Sequence, residues 1–217
     1  MATRAAAGRA ARKTTAKNPT IAVDVAVLTL LEGDDGAVPG VLEVKRVGAS
    51  GWSLPGVYAQ PGEPLADAAA RALSERAGLQ GAAPRQLLTL DPIDRDDRDW
   101  VVSVAYLAVV PADAIATAGA DTRVVAAESP GRLPFGHGDI VAAALDDLRS
   151  RYGYAPDPDG FLPESFTLRE LRLVHEAVAG YELQRDTFRR TMEPLLTTTG
   201  QVTVGGRGRP AELFARA

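Results

Sequence analysis

Residues 54–79, LPGVYAQPGEPLADAAARALSERAGL, decide the fold of this 217-residue chain. Leu65, Ala69 and Leu73 recur every four positions after Pro64, and Gly78 stands where a helix would stop, so the spacing predicts a short helix. Residues three and four apart are neighbours on a helix, which puts positions 72, 75 and 76 on one face. Those positions hold Ala72, Glu75 and Arg76. Leu54-Pro55-Gly56 leads in, and Glu63 precedes Arg71 across the turn that opens the helix.

With Glu63, Arg71, Leu73, Glu75, Gly78 and Leu79 at matching spacings, the stretch resembles the Nudix box, G-x5-E-x7-R-E-U-x-E-E-x-G-U, where U is aliphatic. Val57, Ala72 and Arg76 stand where that pattern has glycine, glutamate and glutamate. The resemblance implies a helix face whose glutamates, in a working enzyme, hold magnesium or manganese against a pyrophosphate. Such hard cations need oxygen ligands and assist attack by water by neutralising charge on the phosphoryl oxygens. Here one glutamate is replaced by a methyl group and another by a guanidinium. A cation beside a divalent ion is repelled by several kcal/mol at about 4 Å and an effective dielectric near ~20. The expectation is a kept scaffold with lost catalysis, no bound metal and no required cofactor, with weak residual hydrolysis through Glu63 and Glu75 left open. Returning Ala72 and Arg76 to glutamate is then expected to raise metal-dependent hydrolysis. A fixed guanidinium at Arg76 can instead grip a diphosphate without cutting it, or serve an ordinary salt bridge.

Composition bounds the alternatives. With 46% hydrophobic residues the chain can support one moderate core and a smaller second one. No apolar run approaches the roughly 20 residues that span a bilayer. The first 20 residues are alanine, threonine and basic side chains without the apolar centre of a secretory signal, so a cytoplasmic location and no membrane partner are expected. Cysteine is absent, which removes disulfides, thiol nucleophiles and cysteine zinc clusters. The net charge of -4 is unevenly spread: residues 1–20 carry five basic and no acidic side chains, and residues 21–160 carry 11 basic and 21 acidic. The tail reads as a disordered basic segment, either attracting nucleic acid non-specifically or aiding solubility.

Ile21–Leu31 and Val41–Arg46 are strand-like runs around a turn-rich stretch, and Leu87–Leu90 and Val101–Val110 are two more. Asp139–Tyr152 reads as a second helix with an Ile140, Ala144 and Leu148 stripe. Strands on both sides of a helix in this order predict an α/β fold, a Nudix-like α/β/α sandwich over residues 21–153. Asp91–Asp99 holds five aspartates without the spacing of a calcium loop, and is read as solvated. His137 and His175 lack partners at metal spacing and are assigned structural or surface roles. Residues 154–160, with Ala155-Pro-Asp-Pro-Asp-Gly160, read as a linker to a second domain at 161–217.

Thr167 and Glu170 form a capping box and Phe166 can staple onto Leu171, starting a helix that runs to Gly180. After a short turn, Gln184–Met192 reads as a second helix burying Phe188 and Met192. Thr197–Val204, the basic run Gly205-Gly-Arg-Gly-Arg-Pro210 and Leu213-Phe214 suggest a β-wing. Helix, turn, helix and wing describe a winged helix-turn-helix, whose second helix enters the major groove. Arg169, Arg172, Gln184, Arg185, Thr187, Arg189 and Arg190, with Arg207 and Arg209 in the wing, are the candidate DNA contacts, since arginine both grips phosphate and reads guanine.

A Nudix-like domain with a broken box, followed by FTLRELRLVHEAVAGYELQRDTFRR and GRGRPAELF, resembles the Nudix-related transcriptional regulators of NAD metabolism, the NrtR family. The resemblance covers residues from about 20 to the C-terminus. It implies a homodimer that binds double-stranded DNA at a palindromic operator, represses NAD-biosynthesis genes, and senses ADP-ribose or a related NAD metabolite as effector. Arg46, Trp52, Arg71, Glu75 and Arg76 are the candidate ligand contacts, with Trp52 read either as a stack for adenine or as core or dimer packing. The competing readings are a Nudix pyrophosphatase acting on ADP-ribose or a related nucleoside diphosphate derivative, and an adaptor that binds nucleotide and protein but not DNA.

Overall fold

The structure is a computed structural model that describes residues 18–33, 36–91, 100–203 and 210–217. Most of the basic tail, the acidic run at 92–99, and the wing loop with Arg207 and Arg209 lie outside the described residues. The central strand is β1 (Thr20–Gly33). Val23, Val25 and Val27 face one side of it and Ala26 and Leu28 the other, all fully buried. A strand covered on both faces has no polar side to alternate with, so its sequence reads as a continuous aliphatic run.

β1 pairs antiparallel with β2 (Gly36–Lys45), to which β3 (Trp52–Ser53) is added, while β4 (Gly56–Tyr58) also pairs with β1. β5 (Arg85–Leu90) joins through β6 (Val101–Val109), which runs parallel to β1, and β7 (Thr122–Ala126) pairs with β2. The sheet order is β3-β2-β1-β6-β5. α1 (Leu65–Ala72) continues through a π-helical turn, Leu73–Ala77, that Gly78 closes in the left-handed conformation. Ala68, Ala69, Ala72 and Leu73 of this element pack on the valine face of β1. A short helix, α2 (Ala112–Ile115), follows β6. On the opposite face α3 (His137–Tyr152) buries Ile140, Ala144 and Leu148 against Ala26, Leu28, Ala105 and Leu107. The layers are those of the expected α/β/α sandwich, and α3 starts at His137 rather than Asp139.

Positions 72, 75 and 76 differ in burial: Ala72 is 0% exposed within the core, while Glu75 and Arg76 reach the surface cavity described below. The helix passes into a π turn at Leu73, directly after Ala72.

The C-terminal part contains α4 (Leu168–Ala179), α5 (Arg185–Met192), β8 (Leu196–Val202) and β9 (Glu212–Arg216). Thr167 and Glu170 form the reciprocal capping box, and Gly180 at φ 80° ends α4. Phe166, Leu171, Phe188, Met192 and Phe214 make a small core of their own. Phe166 and Phe214 also exchange backbone hydrogen bonds of 3.0 and 2.8 Å, which fixes the hairpin β8–β9 beside the two helices. This is a winged helix. Val174 and Val178, on the other face of α4, pack into the α3 side of the sandwich.

Candidate functional site

A cavity of about 430 Å³ opens at the N-terminal end of α3. Asp24 of β1, Arg46 just past β2, Tyr58 of β4, Glu75 and Arg76 of the π turn, and His137 at the head of α3 contribute to its lining. Phe135, before α3, sits at φ 60°, a conformation that a bulky side chain seldom adopts. The Arg46 guanidinium lies over its ring at 5.2 Å, and Arg46 also donates to the Ser50 carbonyl at 3.2 Å.

The arginines differ in commitment. Arg71 grips Glu63 through Nε and Nη2, both at 2.8 Å, and Nη2 also donates to the Tyr58 carbonyl at 2.9 Å. Its Nη1 reaches Glu75 at 3.5 Å. The Arg71 fork, then the Gln60 N–H, holds the Glu63 carboxyl down at about 2. Both Glu63 oxygens are therefore occupied in bracing the loop to the helix. Arg46 and Arg76 have no carboxylate partner among the described residues. Their positive charge is available to an anion entering the cavity.

The inner wall carries a feature that sequence reasoning missed. His137 Nδ1 accepts the Leu54 N–H at 3.0 Å, which leaves the ring hydrogen on Nε2, 3.4 Å from Asp24 Oδ1. Ser103 donates to the other oxygen of Asp24 at 2.5 Å. So fixed, the imidazole presents a donor and has no free lone pair with which to take a proton from water. A Cβ on Gly56 would come within 2.2 Å of Asp24 Oδ1, which is why the lead-in needs glycine. The contact between Leu54 and His137 joins residues far apart in the chain, and the Leu-Pro-Gly lead-in was its one local signal.

Of the ligand candidates, Arg46, Arg71, Glu75 and Arg76 line the cavity and Trp52 does not. The Trp52 ring is covered instead by Arg123, 4.4 Å from its centroid, and Arg123 in turn pairs with the fully buried Glu43 at 2.7 Å. Among the described residues no cluster of three or more His, Asp or Glu could hold a metal ion.

In the winged helix, Arg169, Gln184, Arg185, Thr187, Arg189 and Arg190 are exposed. Gln184 caps α5 by accepting the Thr187 N–H, and Phe188 and Met192 turn inward, so the arginines of α5 face solvent. Arg189 is paired with Glu193 at 2.7 Å. Arg172 is half-buried and bound to Glu176, which also accepts the Leu183 N–H at 2.8 Å, so this arginine braces the turn between the helices.

A sandwich of this topology with such a cavity, joined to a winged helix, is the architecture of a Nudix-type domain fused to a winged-helix module. Residues 22–143 match the NUDIX domain family, and residues 160–215 match the NrtR DNA-binding winged helix domain. NrtR of Shewanella oneidensis, solved in complex with a 27mer DNA, is 31% identical with a TM-score of 0.75, covering 91% of this chain and 93% of that one. The ADPR responsive transcriptional repressor NtrR of Acinetobacter baylyi is 28% identical over 91% of this chain and 82% of its own length. The Nudix domain of Shewanella oneidensis NrtR, solved with ADP ribose, is 25% identical with a TM-score of 0.52, over 64% of this chain and 94% of that one. The chain belongs to the NrtR family of Nudix-related transcriptional regulators. No helix among the described residues is long and apolar enough to cross a membrane.

Proposed function

We propose that this protein is a cytoplasmic, DNA-binding repressor of NAD-biosynthesis genes that senses ADP-ribose, or a closely related NAD metabolite, in its Nudix cavity. The observation that carries the reading is the pairing of two sites in one chain. One is a cavity with two guanidiniums, Arg46 and Arg76, that no described carboxylate neutralises; the other is a reading helix whose Arg185, Thr187 and Arg190 face solvent. The relatives with bound DNA and bound ADP ribose support both halves.

The cavity binds the diphosphate through charge-assisted hydrogen bonds and leaves it intact. Hydrolysis would need clustered oxygen ligands for a metal or a free base for water, yet Glu63 is spent on Arg71 and His137 is held as a donor. The protein acts as a homodimer, because two operator half-sites related by a two-fold axis require a two-fold protein. Effector binding changes operator affinity by no more than its preference for one arrangement of the reading helices over another.

The test is binding to the chain's own upstream intergenic DNA with and without ADP-ribose, followed by chromatography of the recovered ligand. Sequence-specific binding that responds to ADP-ribose, with the ligand uncut, is the expected result. Release of AMP without DNA binding would establish a pyrophosphatase instead.

A further inference from the structure

A buried carboxylate stands where the two modules meet. Asp157 is 0% exposed and sits at φ 47°, a left-handed conformation uncommon for a residue other than glycine. Its Oδ1 accepts the Tyr152 hydroxyl at 2.7 Å and the Phe161 N–H at 2.9 Å. Its Oδ2 accepts the Leu162 N–H at 2.9 Å and Arg216 Nη1 at 2.6 Å. The Asp157 N–H is directed at His175 Nε2, 3.4 Å away. The acceptor sites of the carboxylate are thus filled from three directions, the last residue of α3, the segment leading into the winged helix and strand β9, while the backbone N–H of the same residue points to helix α4. Arg216 also donates to the Leu162 and Pro163 carbonyls at 3.1 and 3.2 Å, and its guanidinium lies 5.6 Å from the Phe166 ring centroid. A carboxylate is tolerated in such a place only while its partners stay.

The same helix reaches the cavity at its other end. His137, the first residue of α3, holds Leu54 and meets the edge of the Phe135 ring at 5.7 Å. The 16 residues of α3 span about 24 Å at ~1.5 Å each. Ile140, Ala144 and Leu148, all 0% exposed, lock its middle to the sheet. Close-packed helices shift as units, so a displacement at His137 arrives at Tyr152. A second tie runs in parallel: Arg149 pairs with Glu128, which precedes the cavity-lining Phe135 in the chain, and donates to the Val178 carbonyl of α4 at 3.2 Å.

We infer that Asp157 is a positioning residue through which the occupied cavity orients the winged helix, with α3 as the strut between them. The inference rests on the sensor reading above and deepens it by naming the joint. Its logic is that a ligand between Arg46, Arg76 and the His137 wall biases the head of α3, while Tyr152, Asp157 and Arg216 convert the tail of α3 into a placement of β9 and α4. Burial pushes the Tyr152 hydroxyl far above its ordinary range, so it remains a donor at every working pH.

The experiment uses the full chain. Tyr152→Phe removes one hydroxyl and keeps the ring, and Arg216→Lys keeps a charge but loses the fork that reaches Pro163. For each variant, operator affinity is measured by fluorescence anisotropy with and without saturating ADP-ribose, ADP-ribose affinity by calorimetry without DNA, and Tm by scanning. ADP-ribose affinity and ligand-free operator affinity are expected to stay within about twofold of the parent. The ratio of operator affinities with and without effector is expected to fall by at least about fivefold. Val25→Ala, which loosens the sheet away from the joint, supplies a reference of comparable Tm loss and is expected to keep the ratio. An unchanged ratio in both joint variants overturns the inference, and so does an equal fall in Val25→Ala. If the parent neither binds operator nor responds to ADP-ribose, the sensor reading itself fails and the joint falls with it; an intact parental response with unaltered variants sinks the joint alone.

Discussion

Arg76 and Arg71 sit one turn apart on the Nudix helix and play opposite parts. Arg71 is locked to Glu63 and the Tyr58 carbonyl, whereas Arg76 faces the cavity without a described acidic partner. A hydrogen bond to a charged group contributes about 1.5–3 kcal/mol, and partial exposure of Arg76 keeps it near the low end. Arg76→Ala is therefore expected to weaken ADP-ribose binding by about tenfold in calorimetry while leaving Tm nearly unchanged. Unaltered affinity would remove Arg76 from the ligand site. The outcome at Ala72 differs from what the sequence pattern suggests. Its methyl is fully buried against the sheet, so Ala72→Glu forces an unpaired carboxylate into the core at a cost of about 3–5 kcal/mol. For a chain of this size that lowers Tm by about 2–4 °C per kcal/mol, read by scanning calorimetry. A Tm at or above the parent's would show that the side chain finds its way to the cavity, and would revive the expectation that the Ala72→Glu, Arg76→Glu pair restores hydrolysis.

Helices α4 and α5 separate charges that bind from charges that brace. Arg190 is exposed and has no described carboxylate partner, while Arg172 is bound to Glu176. Each phosphate contact contributes about one to the slope of log affinity against log salt. Arg190→Ala should lower that slope by about 1, and Arg172→Ala should lower Tm while leaving the slope as it was. Equal slopes in both variants would take Arg190 off the phosphate backbone. These helices were legible before any coordinates, because Thr167, Glu170 and Gly180 mark the ends of α4 and Phe188 and Met192 mark the inner face of α5. β1 and β6 were legible as long aliphatic runs. β3 and β4, with two and three residues, are too short to show a period, and β7 is recognisable only by its pairing to β2. The cavity divided in the same way. Glu75 and Arg76 follow from the Nudix spacing and Arg46 from its place at the end of a strand-like run, while Asp24, Phe135 and His137 meet there through tertiary contacts that no local pattern announces.

At the scale of the whole molecule, acid sensitivity concentrates where the modules meet. His175 is buried between the rings of Tyr152 and Phe188, each 5.0 Å away between centroids. Burial outweighs the nearby Asp157 carboxylate and lowers the His175 pKa to about 4. Unfolded, the ring takes up its proton near 6.5, so the unfolded state binds more protons and stability falls as pH drops from about 6.5 towards 4. The loss is about 1.4 kcal/mol per pH unit within that window, with none above it. The Glu63–Arg71 brace does not confuse the reading, because Glu63 is depressed and its contribution is lost only below the ordinary carboxylate range. Urea unfolding at pH 7.5 and 5 should show the fall in the parent and flatten it in His175→Asn; a parent that is equally stable at both values would contradict this account. The stacking of Arg123 over half-buried Trp52 has an optical consequence. Ser53 and Leu54, the next two residues, line the cavity, and the chain has only two tryptophans. The indole stacked under a guanidinium at the cavity's edge makes the protein its own fluorophore, so that ligand entry can be followed by emission without a label.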